Sequence, residues 1–285
     1  MWWEIVDGFI NVYKEKGQTS HDVVNKVRKI FATRKVGHTG TLDPNATGVL
    51  PIAVNNATKV IEYMEHDDKT YVAELTLGII TDTEDIWGNI LEENSVNVTK
   101  DEIEDAIKSF IGKQKQVPPM YSALKINGKK LYELAREGKV IEREAREIEI
   151  FDIEEIKVIE NKVSFKVHCS KGTYIRTLCK DIGEKLGCGA TMSALKRVQS
   201  GDFTIDTAVK LSELEEDKEK YILDLEIPLR KFSVIELNEE DGRRYINGIK
   251  LKTDMPDGMY RIYIEGKLYG VCRVRGNVIR SEKRI

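Results

Sequence analysis

Three stretches of the chain repeat apolar residues at helical spacing. In the first, Val23, Val24, Val27, Ile30 and Phe31 fall on one stripe. This predicts an amphipathic helix that follows Thr19, with Ser20 as its N-cap. In the second, Ile103, Ala106, Ile107 and Phe110 form the stripe, Thr99 and Glu102 precede it at capping-box spacing, and Gly112 is the expected stop. The third carries Ile175, Leu178, Cys179, Ile182 and Leu186 on one face and meets Gly187, a residue suited to a left-handed C-cap.

Other stretches alternate instead. From Tyr71 to Leu77 the odd positions are mostly apolar, and Val163, Phe165, Val167 and Cys169 alternate with Ser164, Lys166 and His168. Both predict half-buried strands. Met259–Ile264 and Lys267–Val274 flank Glu265-Gly266 and predict a hairpin. Helices and strands mix without a regular βαβ rhythm, which favours an α+β fold over a doubly wound sheet. An acidic stretch, 211–226, ends near Pro228, and the chain beyond it is short-stranded and punctuated by glycine. A domain boundary is expected near 228–232, with domains over 1–230 and 231–285.

Composition narrows the class. Of 285 residues, 41% are hydrophobic and 33% charged, which excludes a disordered chain, a collagen-like fibre and a membrane-embedded protein. No run approaches the roughly 18 apolar residues of a membrane-spanning helix. The segment Met1-Trp2-Trp3-Glu4-Ile5-Val6-Asp7 lacks the basic flank and apolar core of a signal peptide. Cys169, Cys179, Cys188 and Cys272 contain no CxxC pair, so reduced thiols and a cytoplasmic location are expected. His21, His38, His66 and His168 stand in no metal-binding spacing, so no metal site is assigned.

The net charge of -3 hides a segregated pattern. Residues 11–35 hold seven bases and two acids, residues 113–140 the same, and residues 242–285 eleven bases and four acids. Residues 211–241 are the acidic counterweight, with four bases and eleven acids. A mildly acidic whole can therefore present basic faces to phosphate. Charge alone favours the reading of ordinary solvated surfaces.

The densest chemistry lies in Gly37-His38-Thr39-Gly40-Thr41-Leu42-Asp43-Pro44-Asn45-Ala46-Thr47-Gly48-Val49-Leu50. Its glycines let backbone approach a ligand closely, and Pro44 holds Asp43 extended. A carboxylate on so stiff a turn is a candidate nucleophile or base. No GKS or GKT follows the glycines, so the segment is not a P-loop. By residue type alone it also fits an Asx-turn in which Asp43 bonds its own backbone.

The segment GHTGTLDPNATGVLPIAV closely resembles the signature of the TruB family of tRNA pseudouridine synthases, which act on the T loop. Further blocks agree in order: Gly17-x-Thr19-Ser20-His21-Asp22, Lys69-x-Tyr71, Gln116 to Lys125, Gly172 to Leu178, Leu195-Lys196-Arg197 and Gly201-x-Phe203. The resemblance covers about residues 8–205. It implies a pseudouridine synthase fold: a mixed, mainly antiparallel central sheet flanked by helices, with a basic RNA-gripping thumb inserted at about 120–146. From about 231 the chain resembles a small β-rich PUA-like RNA-binding domain.

What the resemblance implies for function is specific. Uridine 55 of the T loop of tRNA would be isomerised to pseudouridine, with no cofactor and no metal. Asp43 would be the nucleophile, Arg176 the cation that accompanies its carboxylate, and Tyr71 the aromatic against the base, with a possible share in proton removal. Tyr174 and Leu195 would line the same pocket. His38 would enter the T loop beside the flipped nucleotide, and Lys69, Gly40, Thr41 and Lys125 would contact the substrate. Whether the carboxylate attacks base or sugar stays open. No extended basic tail points to a guide RNA, so a stand-alone monomer is expected, with neither protein partner nor membrane.

Two rivals remain at this level. One is an RNA chaperone that folds tRNA without chemistry, although binding and catalysis can coexist. The other is a nucleoside or glycoside hydrolase, which needs two carboxylates bracketing a bond; one is placed here. One departure from the family is visible, since Lys14-Glu15-Lys16-Gly17 replaces the usual Lys-Pro. A looser first turn is the expectation.

Overall fold

In the computed structural model, residues 6–64, 67–126 and 128–285 are described. The readings of Met1–Ile5, of His66 and of Asn127 as part of a turn with Gly128 lie outside the described residues.

The centre is a mixed sheet, antiparallel but for one contact. Its strands run in the order Gly8–Lys14, Thr47–Val54, Ala190–Ser200, Lys69–Leu77, Lys162–Cys169, Arg146–Ile159 and Gly112–Gln116. Alternation explains the central members. On Lys162–Cys169 the side chains of Val163, Phe165, Val167 and Cys169 are buried, while their polar neighbours face the other way. Helices Ser20–Ile30, Lys100–Lys108 and Ile175–Leu186 turn their apolar stripes into one core with Ala73, Leu75 and Leu77 of strand Lys69–Leu77.

The helix starts differ from expectation at one point. Thr19, not Ser20, is the first N-cap: its hydroxyl accepts from the Asp22 N–H, and the Asp22 carboxylate accepts from the Thr19 N–H. That capping box leaves the Ser20 hydroxyl free to turn inward. Thr99 and Glu102 form the expected box, but the second helix stops at Lys108, and Gly112, at φ +111°, opens the edge strand instead. Gly187 is the left-handed C-cap of the third helix.

The parallel contact lies where Lys196 and Arg197 meet Thr47 and Gly48. Gly48 has φ +105°, and a Cβ there would lie 2.1 Å from the Arg197 carbonyl oxygen. Only glycine lets the two strands close at this point.

The C-terminal part is a five-stranded sheet in the order Ser233–Leu237, Gly258–Ile264, Lys267–Arg275, Val278–Arg284 and Leu251–Lys252. Its form is that of a PUA-like appendage, with its own core around Ile235, Tyr260, Ile262 and Val274. Glu265 and Gly266 both have positive φ, as the expected hairpin turn requires. The segment joining the two sheets is packed rather than free. Phe9 and Leu223 exchange backbone hydrogen bonds of 2.9 and 2.8 Å. Leu229 shares a seam with Phe9, Val49, Phe203 and Val271, and Phe232 stacks edge-on against Tyr63.

Candidate active site

The Asp43 loop is built by its neighbours. Pro44 follows Asp43, and the Ala46 N–H donates to the Asp43 carbonyl at 3.0 Å, closing a tight turn. The Ser20 hydroxyl accepts from the Leu42 N–H at 2.9 Å and bonds back to the Leu42 carbonyl. Ser20 thus anchors the residue before Asp43. The turn beside it is not loosened by the missing proline. Lys14 is fully buried, and its ammonium donates to the carbonyls of Pro44 and Ala46 at 3.0 and 2.6 Å. The Gly17 N–H donates to the same Pro44 carbonyl. Burial pushes the Lys14 ammonium down to about 8, against the pull of the Asp43 charge.

Asp43 and Arg176 come from residues 133 positions apart and meet in a fork. Arg176 Nε lies 2.9 Å from one carboxylate oxygen, and its Nη2 donates to the other at 3.4 Å. The arginine side chain is only 6% exposed, whereas Asp43 is 37% exposed and open to a ligand. Two carbonyls fix the rest of the guanidinium, Thr83 at 3.1 Å and Tyr121 at 2.7 Å. Arg176 stands in the first turn of its helix, where the helix dipole disfavours a cation. Its position therefore serves the carboxylate rather than the helix.

Of the other expected residues, Tyr71 and Tyr174 lie within reach of the Asp43 charge. Tyr71 is buried on the odd face of its strand, and burial pushes its phenol up. Leu195 lies across from Ala73, two residues from the partner of Tyr71, and is likewise buried. Tyr174 caps the helix that bears Arg176, and the Gln116 side chain clamps both its N–H and its carbonyl. The Asp43 charge reaches both phenols, and burial raises that of Tyr174 also. His38 ends the short strand Val36–His38. Burial, reinforced by the Arg197 charge, lowers its proton affinity. Among the described residues its Nδ1 is buried without a partner. Lys69 opens its strand, bonds the Asp67 carbonyl and is pulled down by burial. Gly40 accepts a hydrogen bond from Arg197.

Two expected residues are exposed. Thr41 is exposed on the loop. Lys125 is exposed on a small hairpin formed by Lys125–Ile126 and Lys129–Lys130, ahead of the helix Leu131–Arg136. Two residues of the site carried no sequence assignment. Lys14 reads as an ordinary strand-end lysine. Arg197 reads as part of a basic pair, although its spacing of two from Leu195 places it on the same, inward face.

Known proteins resemble this chain over most of its length. The pattern described as TruB family pseudouridylate synthase (N terminal domain) matches residues 28–175, and that of the tRNA pseudouridylate synthase B C-terminal domain matches residues 176–232. This chain belongs to the TruB family. A TruB relative, tRNA pseudouridine synthase B of Alkaliphilus oremlandii, is 53% identical over 248 residues, or 86% of this chain and 83% of its own length. The tRNA pseudouridine synthase B of Clostridium perfringens is 49% identical over 283 residues, covering 98% and 95%. The TruB fold recurs in an H/ACA ribonucleoprotein bound to a substrate RNA containing 2′-deoxyuridine. That chain has a TM-score of 0.73 and 26% identity, with 97% of this chain and 84% of the other covered. As a TruB member the chain is an isomerase of the pseudouridine synthase class. Among the described residues no cluster of His, Cys, Asp and Glu could hold a metal ion, and no helix is long and apolar enough to cross a membrane. All four cysteines are buried and unpaired.

Proposed function

We propose that this protein converts uridine 55 in the T loop of tRNA to pseudouridine, with Asp43 as the nucleophile. The observation that carries the proposal is the half-open Asp43 carboxylate gripped by a buried Arg176 fork. The relatives' activity and the order of the signature blocks supply the substrate.

The reaction breaks the bond between ribose C1′ and uracil N1 and forms one between C1′ and C5. The proton on C5 leaves and N1 gains one, so nothing is oxidised and no cofactor enters the balance. The base must first leave the stack, which costs a few kcal/mol. In this reading His38 occupies the space opened in the loop. Tyr71 offers a flat face to the flipped base, with Leu195 and Tyr174 as the other walls. Arg176 aims the carboxylate through its two-pronged contact. Lys69, Gly40 and Thr41 meet the RNA around the pocket. The C-terminal sheet, rich in Lys and Arg, adds phosphate contacts. T-arm RNA labelled with tritium at C5 of the target uridine tests the reaction. Release of one tritium per RNA is expected; a bound, folded T arm that keeps its tritium would leave an RNA chaperone as the better account.

The same proposal assigns the segment 120–146 as a thumb that closes on the T arm. Three of its four lysines, Lys125, Lys129 and Lys130, lie on one small hairpin. Saturating T-arm RNA is expected to protect the bonds within 124–140 from limited proteolysis. Equal cutting with and without RNA would remove the thumb from the proposal.

A further inference from the structure

Arg197 is 1% exposed and ranks among the largest fully buried side chains. Among the described residues it makes no ion pair with a carboxylate, which is costly for a buried guanidinium unless its position serves a purpose. Two of its donors go to backbone. Nε donates to the Val49 carbonyl at 2.7 Å, and Nη2 donates to the Gly40 carbonyl at 3.2 Å. Directly across the sheet from it stands Tyr71. Breaks in strand register at Met192/Ala194 and Arg197/Gln199 flank the segment, and such bulges re-aim side chains near active sites. Gly48 gives up its side chain to let strand Thr47–Val54 close on the Arg197 backbone.

We infer that Arg197 is a positioning residue for the isomerisation: its fork ties the loop that carries Asp43 to the strand pair that carries Tyr71. The inference rests on the reading of Asp43 and Tyr71 given above. Two arginines then divide the work. Arg176 holds the carboxylate. Arg197 never touches it, and instead fixes the distance between the carboxylate's loop, through Gly40, and the aromatic wall. A cation is suited to the place because its charge also bears on the Tyr71 phenol and opposes the effect of burial there. A lysine would keep the charge, but it lacks the planar fork that serves Val49 and Gly40 together.

The test uses the full chain, T-arm RNA labelled with tritium at C5, and the variants Arg197→Lys, Tyr71→Phe and their combination. Single-turnover release, RNA affinity and thermal midpoint are measured for each. Arg197→Lys is expected to slow release by about 10- to 100-fold at saturating RNA while affinity changes less than about 3-fold, the signature of lost orientation rather than lost binding. In the Tyr71→Phe background the same change is expected to cost clearly less, because residues that act as a unit are not additive. Normal release by Arg197→Lys overturns the inference. So does a loss confined to affinity, or full additivity with Tyr71→Phe at an unchanged midpoint. If Arg197→Lys fails to fold, Arg197→Gln, which keeps a planar donor, takes its place and the same outcomes decide. Absence of release by the unaltered protein would instead strike the proposed function itself.

Discussion

Asp43→Asn is expected to abolish tritium release from C5-labelled T-arm RNA while leaving RNA binding within about 3-fold. The drop should be at least about 1,000-fold, the scale on which removal of a covalent nucleophile acts. Asn matches Asp in shape, so its carbonyl oxygen can still accept from Arg176 Nε. What it loses is the charge and the second lone-pair oxygen, now an amide that faces a guanidinium. The fold should survive. The turn is held by the Ala46 N–H, the Ser20 hydroxyl and the Lys14 ammonium, none of which bonds the Asp43 side chain. A thermal midpoint within a few degrees of the original would confirm that only chemistry was removed. This variant also separates the two meanings of RNA binding. A protein that only folds tRNA would be unaffected by it, whereas an isomerase becomes a tight, silent binder. Continued tritium release from Asp43→Asn would remove Asp43 from the role of nucleophile.

The sequence made the local pieces of this site legible, and the reason is physical. Alternation along Tyr71–Leu77 and Val163–Cys169 reports burial on one face, and both strands form as the pattern requires. The box at Thr99 and the glycine at 187 are backbone devices encoded within a few residues, and both are used. Ser20 shows the limit. As a cap it competes with its neighbour Thr19, and the winner is settled by Asp22, three residues after Thr19. The loser then finds Leu42, a partner no local pattern announces. Lys14 and Arg197 were illegible for the same reason. Each is a long polar side chain whose buried partners are backbone carbonyls far along the chain, and carbonyls leave no mark in a sequence. The expectation of a loose turn at Glu15 failed because it counted the missing proline and not the lysine beside it. Asp43 was legible as a candidate nucleophile from its own stiff turn, but its pairing with Arg176 was visible only through the family signature. Neither periodicity nor charge brings residues 133 positions apart together.

Arg176 is the second residue on which activity should depend steeply, and two replacements separate its functions. Arg176→Lys keeps a positive charge in a pocket that is nearly closed, so Asp43 retains a cation. It cannot keep the fork, because an ammonium is a point charge and the present contacts run along two edges of a plane. It also cannot reach Thr83, Tyr121 and both carboxylate oxygens together. Release of tritium is expected to fall about 100-fold with little change in RNA affinity, since orientation is what such clamps supply. Arg176→Met fills most of the same volume without charge. It leaves the Thr83 and Tyr121 carbonyls without their donor and Asp43 without its partner. The stability cost is expected to be about 1–3 kcal/mol, the range for buried groups left unpaired. The exposed side of Asp43 keeps this below the cost of stranding a fully buried charge. Methionine should therefore lower both the midpoint and the rate, and lysine mainly the rate. If lysine restored full activity, the fork would be unnecessary and the charge alone would account for Arg176. If methionine left the rate intact, the Asp43–Arg176 pair would be a structural contact and the nucleophile would have to be sought elsewhere in the pocket.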